Sequence, residues 1–106
     1  MVKKKQAKIK IVVELDENKI PEKIIWSAPD GGVNNKVSKA IFLSIWDHRS
    51  KESLSIDLWT KEMPVDEMND FFYQSVITMG ETFHKATDND KIKDVMKKFS
   101  ASMKKN

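Results

Sequence analysis

Two histidines, His48 and His84, and no cysteine set narrow limits on the chemistry of this 106-residue chain. Asp47-His48 with Ser50 names the residue types of a triad, in which a base takes a hydroxyl proton and a carboxylate orients the base. Successive strand residues point to opposite faces, however, and the segment has the composition of a turn, so a polar hairpin end is expected. Glu81-x-x-His84 has the i, i+3 spacing of a carboxylate-bridged di-metal helix. That site needs a second copy and two further glutamates, so surface polar residues are expected instead. Asp88-x-Asp90 begins like a calcium loop, but Ile92 and Lys93 stand where a ligand and the turn glycine belong. Gly31-Gly32 lacks the following helix and the Lys-Ser/Thr of a phosphate loop and is expected to be a turn. Asp57 lies in mid-strand. In an enzyme it or His48 would be the working group; in the plainer reading Asp57 is exposed or bonded to a hydroxyl such as that of Ser44. The expectation is no catalytic residue, no metal ligand and no cofactor. The missing cysteines also remove disulfides, thiolate zinc and a cysteine nucleophile.

Charge and hydropathy narrow the class further. The net charge is +3, supplied by lysine, with Arg49 the only arginine. The excess lies at the ends, in Lys3, Lys4, Lys5, Lys8 and Lys10 and in Lys97, Lys98, Lys104 and Lys105. These read as solvated termini rather than a nucleic-acid surface, because base readout and phosphate forks favour arginine. Trp26, Phe42, Trp46 and Trp59 have few lysine neighbours, so nucleic acid is not an expected partner. No apolar run approaches the ~20 residues of a membrane span. Lys8-Ile9-Lys10-Ile11 stands where a signal peptide would be apolar, and residue 2 is Val, so a cytoplasmic location is expected.

The elements that would carry these residues follow from periodicity. Residues 1–7 form a ragged lead-in. From Lys8 apolar residues alternate, with Ile9, Ile11, Val13 and Leu15 on one face of a strand. Asp16–Lys19 is a turn and Pro21 stands outside any ladder. A second strand spans 22–28, followed by a loop over 29–36. A third strand, 37–48, is apolar on both faces, with Ile41, Leu43 and Ile45 against Ala40, Phe42 and Trp46. A fourth covers 53–60, with Leu54, Ile56 and Leu58 on one side. The period then changes. Pro64 suits the first helical position, with Asp66 and Glu67 in the first turn. Val65, Met68, Phe72, Val76, Met79 and Phe83 mark a helix to about Lys85. Ile92, Val95, Met96, Phe99 and Met103 mark a second. The order β-β-β-β-α-α predicts a single α+β domain over 1–106. A four-stranded antiparallel sheet over 8–60 would carry two C-terminal helices, over 64–104, on one face.

With the helices on the aliphatic face, the outer face would be an interface. A turn at Ser50-Lys51 pairs Leu43 with Leu58 and Ile45 with Ile56, and sets Phe42 opposite Trp59. Trp46 lies on the same side, and Trp26 joins if its strand aligns. Three rings of ~150–250 Å² each form a large patch to leave in water. A second copy of the chain is the expected occupant, giving a homo-oligomer.

Several stretches together resemble the gliding-motility-associated GldC family of Bacteroidota. They are Val13-Glu14-Leu15-Asp16-Glu17-Asn18-Lys19-Ile20-Pro21-Glu22-Lys23-Ile24, Asp30-Gly31-Gly32, Lys39-Ala40 and Ser44-Ile45-Trp46-Asp47. The most specific is Ile56-Asp57-Leu58-Trp59-Thr60-Lys61-Glu62-Met63-Pro64-Val65-Asp66-Glu67-Met68, followed by Phe71-Phe72. The resemblance implies a non-enzymatic accessory protein that acts through protein contacts in gliding, with the gliding or secretion machinery as possible partners. In topology alone the chain also resembles the SecB-type export chaperone subunit, which would imply binding of unfolded clients. That chaperone is acidic, whereas this chain is basic.

Overall fold

The computed structural model describes residues 5–103, so Lys3, Lys4, Lys104 and Lys105 of the terminal lysine clusters lie outside the described residues. Residues 1–63 and 64–106 form two compact units. Five strands precede two helices, and the strands divide into a three-stranded and a two-stranded antiparallel sheet. The expected single four-stranded sheet is therefore corrected.

The first sheet comprises β1 (Lys10–Leu15), β2 (Pro21–Ala28) and β3 (Val33–Ser38), in that order. Alternation puts Ile11 and Val13 on one face, and the register sets them opposite Trp26 and Ile24. Ile24, flanked by Val13 and Ser38, is the fully buried apolar residue among those described. Ile9 and Leu15, expected on the covered face, are exposed. Pro21 is not outside the ladder but opens β2 opposite Leu15, where a first-strand position needs no donated N–H.

Asp16 builds the β1–β2 turn. One carboxylate oxygen accepts the N–H groups of Asn18 and Ile20, at 2.8 and 2.9 Å, and Lys19 takes the left-handed φ of 63° that the reversal needs. β3 occupies part of the expected 29–36 loop. Its Asn34-Asn35-Lys36 has no strand signature because the pairing is carried by backbone. The Asn35 N–H donates to the Ser27 hydroxyl (2.9 Å) beside a bulge in the ladder. A 3-10 turn at Pro29–Gly31 and Gly32, at φ 79°, complete the reversal.

The expected strand over 37–48 is broken at Lys39. The residues beyond it form β4 (Ala40–Trp46), which pairs with β5 (Ser53–Trp59). Ile41 faces Leu58, Leu43 faces Ile56, Ile45 faces Leu54 and Phe42 faces Asp57. This keeps the expected faces but moves the ladder by two residues. The cause is Asp47, whose carboxylate accepts the N–H groups of Arg49 (3.1 Å) and Ser50 (2.7 Å) and centres the turn one position earlier than Ser50-Lys51.

The second unit is an antiparallel pair, α1 (Val65–Thr87) and α2 (Asp90–Met103). Pro64 is the N-cap residue rather than the first helical one. The Asn69 side-chain amide donates to the Met103 carbonyl, tying the start of α1 to the end of α2. Asn69, Tyr73, Val76 and His84 are half-buried along α1 and Gly80 is buried, while Met96 is half-buried and Ser100 buried on α2. At Gly80 the helices approach so closely that a Cβ would lie 3.2 Å from the Met96 Cβ. Of the expected stripes Met68, Val76, Met96 and Met103 are half-buried, whereas Val65, Phe72, Met79, Phe83, Ile92, Val95 and Phe99 remain exposed. The α1–α2 turn is capped by its own polar residues. Asp88 adopts a left-handed φ of 59°, and Asn89 accepts the N–H of Ile92.

Candidate functional site

The structure separates the residues that could have done chemistry. Asp47 bonds the backbone of its own hairpin, and those N–H donors, Ser50 first, hold its carboxyl below the ordinary value. His48 is exposed on that turn. The Nε2 of His84 contacts the Asp90 carboxylate at 2.5 Å, across the α1–α2 turn. Asp57 is exposed beside Phe42, and the Ser44 hydroxyl bonds Ser55 instead (3.4 Å). A groove of about 430 Å³ beside Thr60 and Lys61 includes neither Asp57 nor His48. Among the described residues no group of three or more His, Asp or Glu is placed to hold a metal ion.

The β4–β5 ribbon has the surface that remains. The ladder places Phe42 and Trp46 on the same face as Trp59, Asp57, Ser44 and Ser55. Phe42, Trp46 and Trp59 are 49%, 65% and 54% exposed. Trp26 is not among them: it is half-buried in the first sheet, opposite Ile11 and Lys36. The other ribbon face carries Ile45, Leu54 and Ile56, each more than half exposed. β4 and β5, seven residues each, carry Asp57 as their one charged residue in a chain that is 33% charged. Depletion of charge with retained aromatics is the composition of an interface core.

A clamp at the ribbon's base fixes it to the first sheet. Beyond β5 the Thr60 N–H donates to the Lys39 carbonyl (2.8 Å), and the Lys61 N–H reaches the Pro21 carbonyl (3.4 Å). The Lys61 ammonium donates to the free oxygen of Asp16 at 2.8 Å and lies 3.7 Å from Glu22. The Asp16 side chain is only 11% exposed, so this pair is more sheltered than an ordinary surface bridge. The Lys61 hydrogen bond, then the Ile20 N–H, lowers the Asp16 carboxyl from its ordinary value. Asp16 in turn raises the Lys61 ammonium. Neither residue carried a marked function in the sequence. The signal lay in their presence within the two longest stretches of family resemblance.

Fold and site together define an α+β protein whose distinguishing surface is an apolar, charge-poor ribbon. A family profile described as gliding motility-associated protein GldC-like matches residues 21–106. The chain belongs to this family of gliding motility-associated proteins. No curated protein and no solved structure shows a significant match. Among the described residues no helix is long and apolar enough to cross a membrane.

Proposed function

We propose that this protein serves gliding by making protein–protein contacts through the β4–β5 ribbon, with a second copy of itself as the first occupant and from the cytoplasmic side. The observation that carries the reading is that the ribbon gathers Phe42, Trp46 and Trp59 on one face and has Asp57 as its one charged residue. An isolated two-stranded ribbon is marginal in water, and three or more strands or a packed layer are needed for independent stability. At ~150–250 Å² per aromatic, the three rings alone leave about 350 Å² in water. The three exposed aliphatics form a second apolar patch on the opposite face. Large aromatics in such a patch are the usual anchors of association, and Trp46 and Trp59 have that role. Trp26 serves as a contact of the first sheet.

The experiment is complementation. In a host strain lacking the gene, a variant combining Trp46→Lys and Trp59→Lys should accumulate like wild type but fail to restore spreading over agar. Full spreading by that variant would contradict the reading. A second reading, binding of unfolded clients, is favoured by the ribbon's open edges, which could accept an extended chain. It predicts that the same substitutions abolish binding of an unfolded polypeptide while leaving the mass in solution unchanged.

A further inference from the structure

The backbone of β4 specifies how a second copy would join. Thr60 N–H donates to Lys39 O, and Asp47 N–H to Glu52 O, at 2.8 and 2.9 Å. Both pairs extend the β4–β5 register by one step at either end. In an antiparallel ladder, hydrogen-bonded and non-bonded pairs alternate. Ile41, Leu43 and Ile45 therefore turn their N–H and C=O groups toward β5. Ala40, Phe42, Ser44 and Trp46 turn theirs outward, to an edge that carries no further strand among the described residues. β5 likewise turns Ser53, Ser55, Asp57 and Trp59 outward.

Proteins guard such edges with charge, proline or bulges. β1 carries Lys10 and Glu14 and has a bulge before Leu15. β3 is interrupted by the left-handed Asn35. β5 carries Asp57, and self-pairing of β5 would bring two such carboxylates close together on one face. β4 has no charged residue, no proline and no break in its ladder. It is the unguarded edge.

We propose that two copies of this chain join along β4, antiparallel about a two-fold axis at Leu43, so that two ribbons become one four-stranded sheet. This rests on the self-association proposed above and gives it a geometry. The register is chosen by full overlap of the strand and by side-chain size. Phe42 then lies opposite the partner's Ser44, and Trp46 opposite the partner's Ala40, so each large ring meets a small neighbour. Ala40 already faces Trp59 within its own ribbon, which places it between Trp59 and the partner's Trp46. Ile41 meets the partner's Ile45, continuing the aliphatic face. The two Asp57 residues stay on the outer strands, apart from each other and open to water.

The native chain has no cysteine, so one introduced thiol reports the register without background. Leu43 would form a non-hydrogen-bonded pair with its mate, at a Cα separation of about 4.5 Å, inside the range of a disulfide. Mild oxidation of the Leu43→Cys variant should give a covalent dimer as the main species. The Ile56→Cys variant, altered at the neighbouring position on β5, should remain largely uncrosslinked under the same conditions. Wild-type protein supplies a test that no substitution can spoil. Above the dissociation constant the amides of Phe42 and Ser44 should exchange with solvent at least tenfold more slowly than those of Ser55 and Asp57. Dilution should abolish the difference. If the wild type associates but these four amides exchange alike, or the Ile56→Cys variant crosslinks as well as the Leu43→Cys variant, the β4 pairing is wrong while self-association stands. If the wild type remains a monomer, both are overturned.

Discussion

The helical pair and the β4–β5 ribbon both leave large apolar side chains in water, but their backbones are in different positions. Within α1 and α2 the N–H and C=O groups are satisfied along each helix. The pair also closes on its own seam, with Gly80 against Met96 and Asn69 bonded to Met103. The ribbon pairs along one side of each strand, and every second residue of β4 and β5 still offers its backbone outward. An exposed helical stripe can be covered by any apolar surface. An exposed strand edge requires another strand in register, which is a more specific demand. The ribbon is accordingly the more selective contact surface.

The largest way to break this contrast is to charge the ribbon. Trp46→Lys with Trp59→Lys should weaken self-association at least about 30-fold, the effect of losing one interface anchor worth about 2 kcal/mol. Far-ultraviolet circular dichroism should still report folded helices. Loss of helicity in step with dissociation would mean that the two regions do not behave independently. The reciprocal change is Gly80→Leu, which forces atoms against the Met96 Cβ. It should destabilise the helical pair by about 2–3 kcal/mol in urea melts, as overpacking does. The mass in solution should remain that of wild type. An unchanged melt would remove Gly80 as the point of close approach.

How much of this contrast could be read in the sequence follows from the physics of each part. Period-2 alternation located β1, β4 and β5, and 3.6-residue recurrence located both helices, because burial on one side imprints a period. β3 left no imprint: its Asn34-Asn35-Lys36 contributes backbone and a side-chain bond to Ser27 rather than apolar surface. The ribbon faces were assigned correctly, since parity survives a two-residue shift. The pairing was not, because it depends on the Asp47 carboxylate choosing the N–H groups of Arg49 and Ser50. Phe42, Trp46 and Trp59 were brought to one face as expected, whereas Trp26 went to another sheet because the strand breaks at Lys39. The helical seam was legible only in part, at Met68, Val76, Met96 and Met103, because its buried points, Gly80 and Ser100, are small residues that leave no apolar imprint.

Smaller effects sharpen the comparison. Asn89→Ala removes the side chain that receives the Ile92 N–H at the start of α2. It should cost about 1 kcal/mol, seen as a lower Tm of the helical unit, with no change in association. An unchanged Tm would show that the cap contributes nothing.

The clamp beneath the ribbon should respond to pH at both extremes and not between them. Asp16 is lowered in the folded chain, so its contribution is complete above its unfolded value of ~3.9 and is lost as pH falls through the folded one. Lys61 is raised, so its contribution is complete below ~10.4 and is lost as pH rises through its folded value. The NMR shifts of the Asn18 and Ile20 amides should therefore be level through the neutral range and titrate in acid with a midpoint below 3.8. Asp16→Asn should abolish that acid step. A midpoint at or above the ordinary carboxylate value would contradict the clamp.

The central claim is that the ribbon joins a second copy, and the most direct measurement is the mass of the wild-type protein in solution. Static light scattering at micromolar concentration should give a multiple of the 12.3 kDa chain, falling toward a single chain on dilution or in the Trp46→Lys, Trp59→Lys variant. A mass of 12.3 kDa at every concentration would contradict the account.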